Sequence, residues 1–173
     1  PRMSVLRPGD TCWRLAHAPR AAFLMDNQAY YAALFEALQA ARRSILVLGW
    51  AFDPRTRLAP DGTEGPADPD EVGRILIDLA RSRPERDVRL LLWKAAFSTT
   101  GIHPFLRHRA RSWFARTGVK FHEDGNVPFG ACHHQKVVVI DDRVAFCGGG
   151  DIVTNRWDTP AHLQVDPRRI LPH

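Results

Sequence analysis

Cys132-His133-His134-Gln135-Lys136-Val137-Val138-Val139-Ile140-Asp141, continued by Asp142-Arg143-Val144-Ala145-Phe146-Cys147-Gly148-Gly149-Gly150-Asp151, decides how this chain is read. Lys136 to Ile140 and Val144 to Cys147 are short apolar runs of strand length. The three residues between them leave no room for a crossover helix, so the two strands are expected to pair antiparallel. Residues two apart on a strand share a face. His134 and Lys136 are therefore expected to face one pocket together, with Val137 and Val139 facing the core. An imidazole beside an ammonium suits an anionic substrate. The lysine holds non-bridging phosphate oxygens, and the histidine attacks phosphorus or transfers a proton. Gly148, Gly149 and Gly150, following a buried strand, let the backbone approach a bound group, and Asp151 closes this element.

Outward from this segment, helical and strand patterns alternate. Asp26 reads as the N-cap of a helix to about Arg43, with Tyr31, Leu34, Phe35 and Leu38 at helical spacing. Ile45–Trp50 reads as a buried strand, Asp70–Ala80 as helix, Val88–Trp93 as strand, Pro104–Arg116 as helix and Val119–His122 as a short strand. Cys12–His17 and Ala22–Met25 are expected to form two further short strands around Pro19, and residues 60–70, rich in Pro and Gly, a surface loop. The pattern predicts an α/β domain with a mixed sheet.

The composition admits that domain. The chain has 173 residues, 45% apolar and 25% charged, which is ordinary globular usage and excludes a mostly disordered chain. No apolar run approaches the ~18 residues of a membrane span, and Pro1 to Arg7 carries no signal-peptide stretch. A cytoplasmic location, or one peripheral to a membrane, is the expectation. Cys12, Cys132 and Cys147 cannot all pair and show no metal-ligand spacing. The net charge of +5, mostly from arginine, is compatible with a phosphate-bearing partner, whether nucleic acid, anionic lipid surface or phosphodiester substrate.

The spacing H-x-K-x-x-x-x-D at His134, Lys136 and Asp141, followed by Gly148-Gly149-Gly150-Asp151, resembles the signature of the phospholipase D superfamily. Arg156-Trp157-Asp158-Thr159-Pro160-Ala161-His162 resembles the phospholipase branch in particular, and the likeness extends upstream through Ile45–Trp50 with Asp53 and through Leu91-Leu92-Trp93. The resemblance implies a phospholipase D-like α/β/α sandwich with a mixed sheet, residues 1–173 forming a single lobe. It implies phosphodiester hydrolysis or transphosphatidylation on phospholipids through a phosphohistidine. Water as acceptor gives phosphatidic acid; an alcohol acceptor gives transfer, as in the cardiolipin synthases of the family. The chemistry implies no cofactor and no metal.

The family's roles then fall on residues of this chain. His134 takes the place of the nucleophile and Lys136 that of the phosphate-binding lysine. Asp141 matches the motif aspartate, which is mainly structural. Gly148, Gly149, Gly150 and Asp151 match the phosphate- and substrate-binding element. A histidine nucleophile also needs an acceptor on its other ring nitrogen. Asp166, 32 residues after His134 in a stretch resembling the family's H-R-x-x-D, is expected to supply it, with Asp158 as rival. The family's site uses two such motifs, one histidine attacking and the other protonating the leaving alcohol. Of the eight histidines here, only His134 is followed two residues later by lysine, so the chain supplies half a site. The missing half is expected from a second lobe, on the same parent chain or as a homodimer mate. The phospholipase-like features and the end of the sequence just past the motif favour the parent chain. Two alternatives stay open: a nucleic-acid phosphodiesterase acting as a homodimer, and a non-catalytic phosphate-binding lobe. Trp50 and Trp93 end strands on the sheet and are expected in the core, with the mouth of the pocket as the alternative. His133 is expected to point away from His134. Trp113 and Phe114 are expected in the core, with the arginines of their helix in water; contact with nucleic acid or an anionic membrane surface is the other use of that face.

Overall fold

The computed structural model describes residues 5–60, 70–94 and 102–169. They form α1 (Asp26–Ala40), β1 (Ser44–Gly49), α2 (Val72–Ser82), β2 (Asp87–Trp93), α3 (Ile102–Phe114), β3 (Lys120–Asp124), β4 (Val137–Ile140) and β5 (Val144–Cys147). The fold is α/β: one mixed sheet in the order β3-β2-β1-β4-β5, flanked by helices. β1, β2 and β3 run parallel, β4 runs antiparallel to β1, and β5 antiparallel to β4.

The register explains the core. Ile45 is opposite Val88 on one side and Ile140 on the other, and Val47 is opposite Leu90 and Val138. All six are buried, so they form one continuous apolar face. α2 and α3 connect parallel strands taken in one direction across the sheet, so right-handed crossovers lay both on the same side. Tyr31, Leu34 and Leu38 of α1 join Val72, Ile75 and Leu76 of α2 and Ala110 and Phe114 of α3 in the core cluster. Phe114 is buried and Trp113 packs partly against the core, as the helical spacing indicates.

Two sequence expectations are corrected here. On β4 the core face is that of Val138 and Ile140; Val137 and Val139 lie half-buried on the opposite face with Leu46, Leu48 and Leu91. An uninterrupted valine run carries no alternation, so its in/out phase had to be set by the register with β1. Cys12–His17 and Ala22–Met25 form no strands. Their alternation is strand-like, but no strand among the described residues pairs with them. The loop read at residues 60–70 falls largely outside the described residues.

α2 docks through glycine. The Gly73 amide donates to the Pro54 carbonyl at 2.8 Å, and a Cβ at Gly73 would lie 2.4 Å from Pro54 Cβ and 2.7 Å from Trp113 Nε1. Neither neighbour sits at the end of a flexible chain, so Gly73→Ala forces the helix away. We expect a loss of about 1–3 kcal/mol in stability, read as a lower denaturation midpoint at unchanged slope. An unchanged midpoint contradicts this packing.

Candidate active site

Lys136 immediately precedes β4 on the face of Val138 and Ile140, and only 9% of it is exposed. Its aliphatic stem is thus packed like a core residue, while the ammonium emerges at the end of the sheet. There Lys136 Nζ lies 3.3 Å from Asp151 Oδ2 and donates to the His134 carbonyl at 3.1 Å. An ammonium has three donors, so two directed at protein oxygens leave one for a phosphate oxygen. Asp151 faces both ways: its Oδ1 accepts the backbone amides of Trp50 and Ala51 at 3.1 and 3.0 Å. The carboxylate thereby ties the loop after β1 to the lysine.

That loop presents Trp50. Its ring stacks on Trp93 at 5.9 Å between centroids, meets the His134 ring edge-on at 5.7 Å, and has Lys136 Nζ 5.7 Å from its centroid. Both tryptophans are half-buried, so Trp50 is a wall of the site and not a core residue. His134 is exposed, and it opens with Lys136 onto one groove of about 520 Å³. Gly149, Gly150 and Asp151 line the same groove, with Asn27 and Asp26 from the start of α1 and Arg156 and Asp158 from the segment after β5. The sequence pairing of His134 with Lys136 is therefore realised as a shared opening. Gly148 lies outside that lining, and a Cβ at Gly148 or Gly149 would meet open space. Gly150 is the constrained glycine, where a Cβ would sit 3.1 Å from Asn27 Oδ1. Asn27 in turn donates to the Arg156 carbonyl at 2.6 Å. Asn27 and Arg156 reach the groove through this long-range contact; no local pattern marks Asn27, and Arg156 was visible only within the Arg-Trp-Asp run.

Asp141 sits at the far end of β4, away from the groove. Its Oδ2 accepts the Arg42 amide at 2.8 Å, and its Oδ1 accepts those of Arg43 and Ser44 at 2.6 and 2.8 Å. It clamps the α1–β1 junction to the β4–β5 turn, where Asp141 and Asp142 both take positive φ, 56° and 55°. Burial alone raises the Asp141 pKa, but the three amides outweigh it and hold the carboxyl below its ordinary value. A depressed pKa stabilises the fold at pH above the unfolded aspartate value, and this contribution is lost as pH falls through the folded value. Asp141→Ala is expected to cost about 1–2 kcal/mol at neutral pH, with the deficit shrinking in acid. Equal deficits at neutral pH and below the aspartate range contradict the clamp.

Asp166 does not hold the His134 ring. Its carboxylate accepts Arg168 Nε and Nη2 at 2.9 and 2.8 Å and the Arg168 amide at 3.0 Å, and that guanidinium lies 4.1 Å over the buried Trp157 ring. The arginine holds the Asp166 carboxyl down at about 2. The 32-residue offset singled out this acid, but the bidentate guanidinium of Arg168, two residues away, engages its carboxylate instead. Asp158 lines the groove, yet its Oδ2 lies 3.0 Å from His162 Nδ1. The Asp158 contact, with Asp26 adding to it, raises the His162 pKa. His133 turns the other way: its Nε2 is 3.2 Å from Asp124 Oδ2, in a separate cavity of about 240 Å³ lined by Leu48, Leu91 and Trp93. Among the described residues no group of three or more His, Cys, Asp or Glu is placed to hold a metal ion, and no helix is long and apolar enough to cross a membrane.

A family model described as Phospholipase D matches residues 37–167. The chain is 28% identical over 147 residues to Phospholipase D B of Dictyostelium discoideum, covering 83% of this chain and 12% of that protein. It is 29% identical over 154 residues to Phospholipase D alpha 4 of Arabidopsis thaliana, covering 75% and 20%. The chain thus spans a fifth or less of the length of these relatives. Among solved structures, NucT from Helicobacter pylori superposes with a TM-score of 0.51 at 15% identity, covering 75% of this chain and 72% of that one, which supports the fold.

Proposed function

Since the chain belongs to the phospholipase D family, we propose that its groove is one half of a phosphodiester-cleaving site, with phospholipids as substrate and His134 as nucleophile. One observation carries this reading: His134 and the ammonium of Lys136 open onto one groove with Gly149 and Gly150. A ring nitrogen of His134 attacks phosphorus, the bond to the leaving alcohol breaks, and Lys136 balances charge on the non-bridging oxygens. The leaving oxygen takes a proton from an acid. Water or an acceptor alcohol then breaks the phosphorus–nitrogen bond, giving phosphatidic acid or a transferred phosphatidyl group and restoring the imidazole. The sequence holds no second H-x-K, so the acid comes from a second lobe, on the same parent chain or from a homodimer mate. Residues 1–173 act as one lobe of that pair, at or near a membrane surface. Asp151 serves the reaction by keeping Lys136 and the Trp50 loop in place.

The test is turnover of phosphatidylcholine and phosphatidylglycerol vesicles against single-stranded DNA, alongside the molar mass of the active species. Head-group release, with an acid-labile phosphoryl adduct on His134, is the expected result, and a demonstrated monomer is expected to be inactive. Cleavage of DNA alone overturns the lipid reading; normal turnover by a monomer overturns the half-site reading.

A further inference from the structure

We propose that His162, which stands outside the groove lining, is the positioning residue that fits the groove to an anion: as an imidazolium it bridges Asp158 and Asp26 and offsets the charge that both present to the substrate. This role deepens the phosphodiester reading, on which it rests for the charge of the ligand. Without it the groove has the wrong sign. Of the side chains that line it, Lys136 and Arg156 are cations, whereas Asp26, Asp151 and Asp158 are carboxylates. Lys136 answers Asp151 at 3.3 Å. That leaves Arg156 against Asp26 and Asp158, and a phosphodiester monoanion entering beside two carboxylates is repelled unless a further cation offsets them.

His162 is placed to be that cation. Its Nδ1 lies 3.0 Å from Asp158 Oδ2 and its Nε2 3.9 Å from Asp26 Oδ1, so each ring nitrogen faces a carboxylate of the groove. A neutral imidazole meets one of the two with a lone pair; the imidazolium presents an N–H and positive charge to both. The backbone holds this arrangement. The His162 amide donates to the Thr159 carbonyl at 3.0 Å, closing a turn in which His162 takes φ 45°, and Asp26 opens α1 at φ 63°. Left-handed backbone at two residues other than glycine persists only where neighbouring contacts over-determine it. Here the Gln28 amide donates to the Asp158 carbonyl at 2.9 Å and Asn27 Nδ2 to the Arg156 carbonyl at 2.6 Å, fastening the head of α1 to this segment. Asp158 first, and Asp26 after it, raise the His162 pKa against desolvation and against Arg169, whose Nη2 is 3.8 Å from Asp158 Oδ1. The imidazolium therefore persists to higher pH than in a free histidine, and is lost as pH rises further.

Binding of diethyl phosphate to the full chain, followed by NMR on the histidine rings, tests this without any activity assay. The probe is a phosphodiester monoanion with no titration of its own in the histidine range. His162→Gln alters an exposed side chain and is expected to leave the circular dichroism spectrum unchanged. It is expected to bind the probe about three- to tenfold more weakly than the parent at pH below the His162 titration, and equally above it. A merely structural role gives a deficit constant with pH, and the titration of His134 is common to both chains. By linkage, saturating probe raises the pH at which the His162 ring titrates by the same factor. In a chain carrying Asp26→Asn and Asp158→Asn, adding His162→Gln is expected to change the affinity by less than about twofold, because no acids remain to offset. A deficit equal at all pH, no deficit, tighter binding by His162→Gln, or a deficit that survives the loss of both acids overturns the role of His162 and leaves the groove an anion site. No binding of the probe by the parent at any pH overturns the phosphodiester reading of the groove as well.

Discussion

His134→Ala, in an assembly that supplies the second histidine, is expected to lower turnover by about 10⁴-fold or more, the scale seen when a covalent nucleophile is removed. The structure makes this a clean measurement. The His134 side chain is exposed, and its ring contact is with Trp50, so its loss leaves the core intact. Circular dichroism and the denaturation midpoint are expected to stay at parental values, and the phosphoryl adduct to vanish. His134→Asn behaves the same way, because an amide fills the space without a nucleophilic lone pair. Activity within tenfold of the parent, with either variant folded, removes His134 from the mechanism and returns the groove to simple phosphate binding.

Lys136→Met is expected to lower turnover by about 10²–10³-fold, the cost of losing one preorganised donor to developing negative charge. Methionine retains most of the buried stem. The substitution also leaves Asp151 facing no cation, although the Trp50 and Ala51 amides still satisfy one of its oxygens. A stability loss of about 1–3 kcal/mol follows for the other oxygen. Lys136→Met with Asp151→Asn separates the two effects: it is expected to recover stability and not activity. If the double variant recovers both, Lys136 is an ion-pair partner and no more. Lys136→Arg is not expected to rescue, since a planar, forked guanidinium does not reproduce the compact point charge of an ammonium.

Much of this was legible because the relevant physics is local. Strands β1, β2 and β5 were marked by short apolar runs, and their observed bounds fall within a residue or so of the runs. The tight β4–β5 connection dictated antiparallel pairing, and two-residue spacing brought His134 and Lys136 to one opening. Where sequence reading failed, a partner distant along the chain decided the outcome. Which valines of β4 face inward depends on register with Ile45 and Val47, not on the valines themselves. Asp166 was assigned by offset to His134, but Arg168 and Trp157 had a prior claim on its carboxylate. Cys12–His17 has a strand's alternation and no ladder. Trp50 read as core because it ends an apolar run, whereas the loop that Asp151 fixes turns it outward. Asp26, taken as an N-cap, instead heads α1 with φ 63° and faces His162 at 3.9 Å.

The clamp at Asp141 and the cation at Lys136 stand at opposite ends of a single strand, and this makes the motif a measure of length. At about 3.3 Å per residue, the four residues between them set how far the ammonium stands from the α1–β1 junction, and their number sets which side of the sheet it leaves. Deleting one valine would turn Lys136 to the face of Leu46 and Leu48, away from Asp151, with every residue type of the site still present. Deleting two would restore the side but draw the lysine inward by about 6.6 Å, below the rim of the groove. The spacing between lysine and aspartate is therefore a dimension of the molecule, cut to the thickness of the domain between its folding anchor and its reactive end.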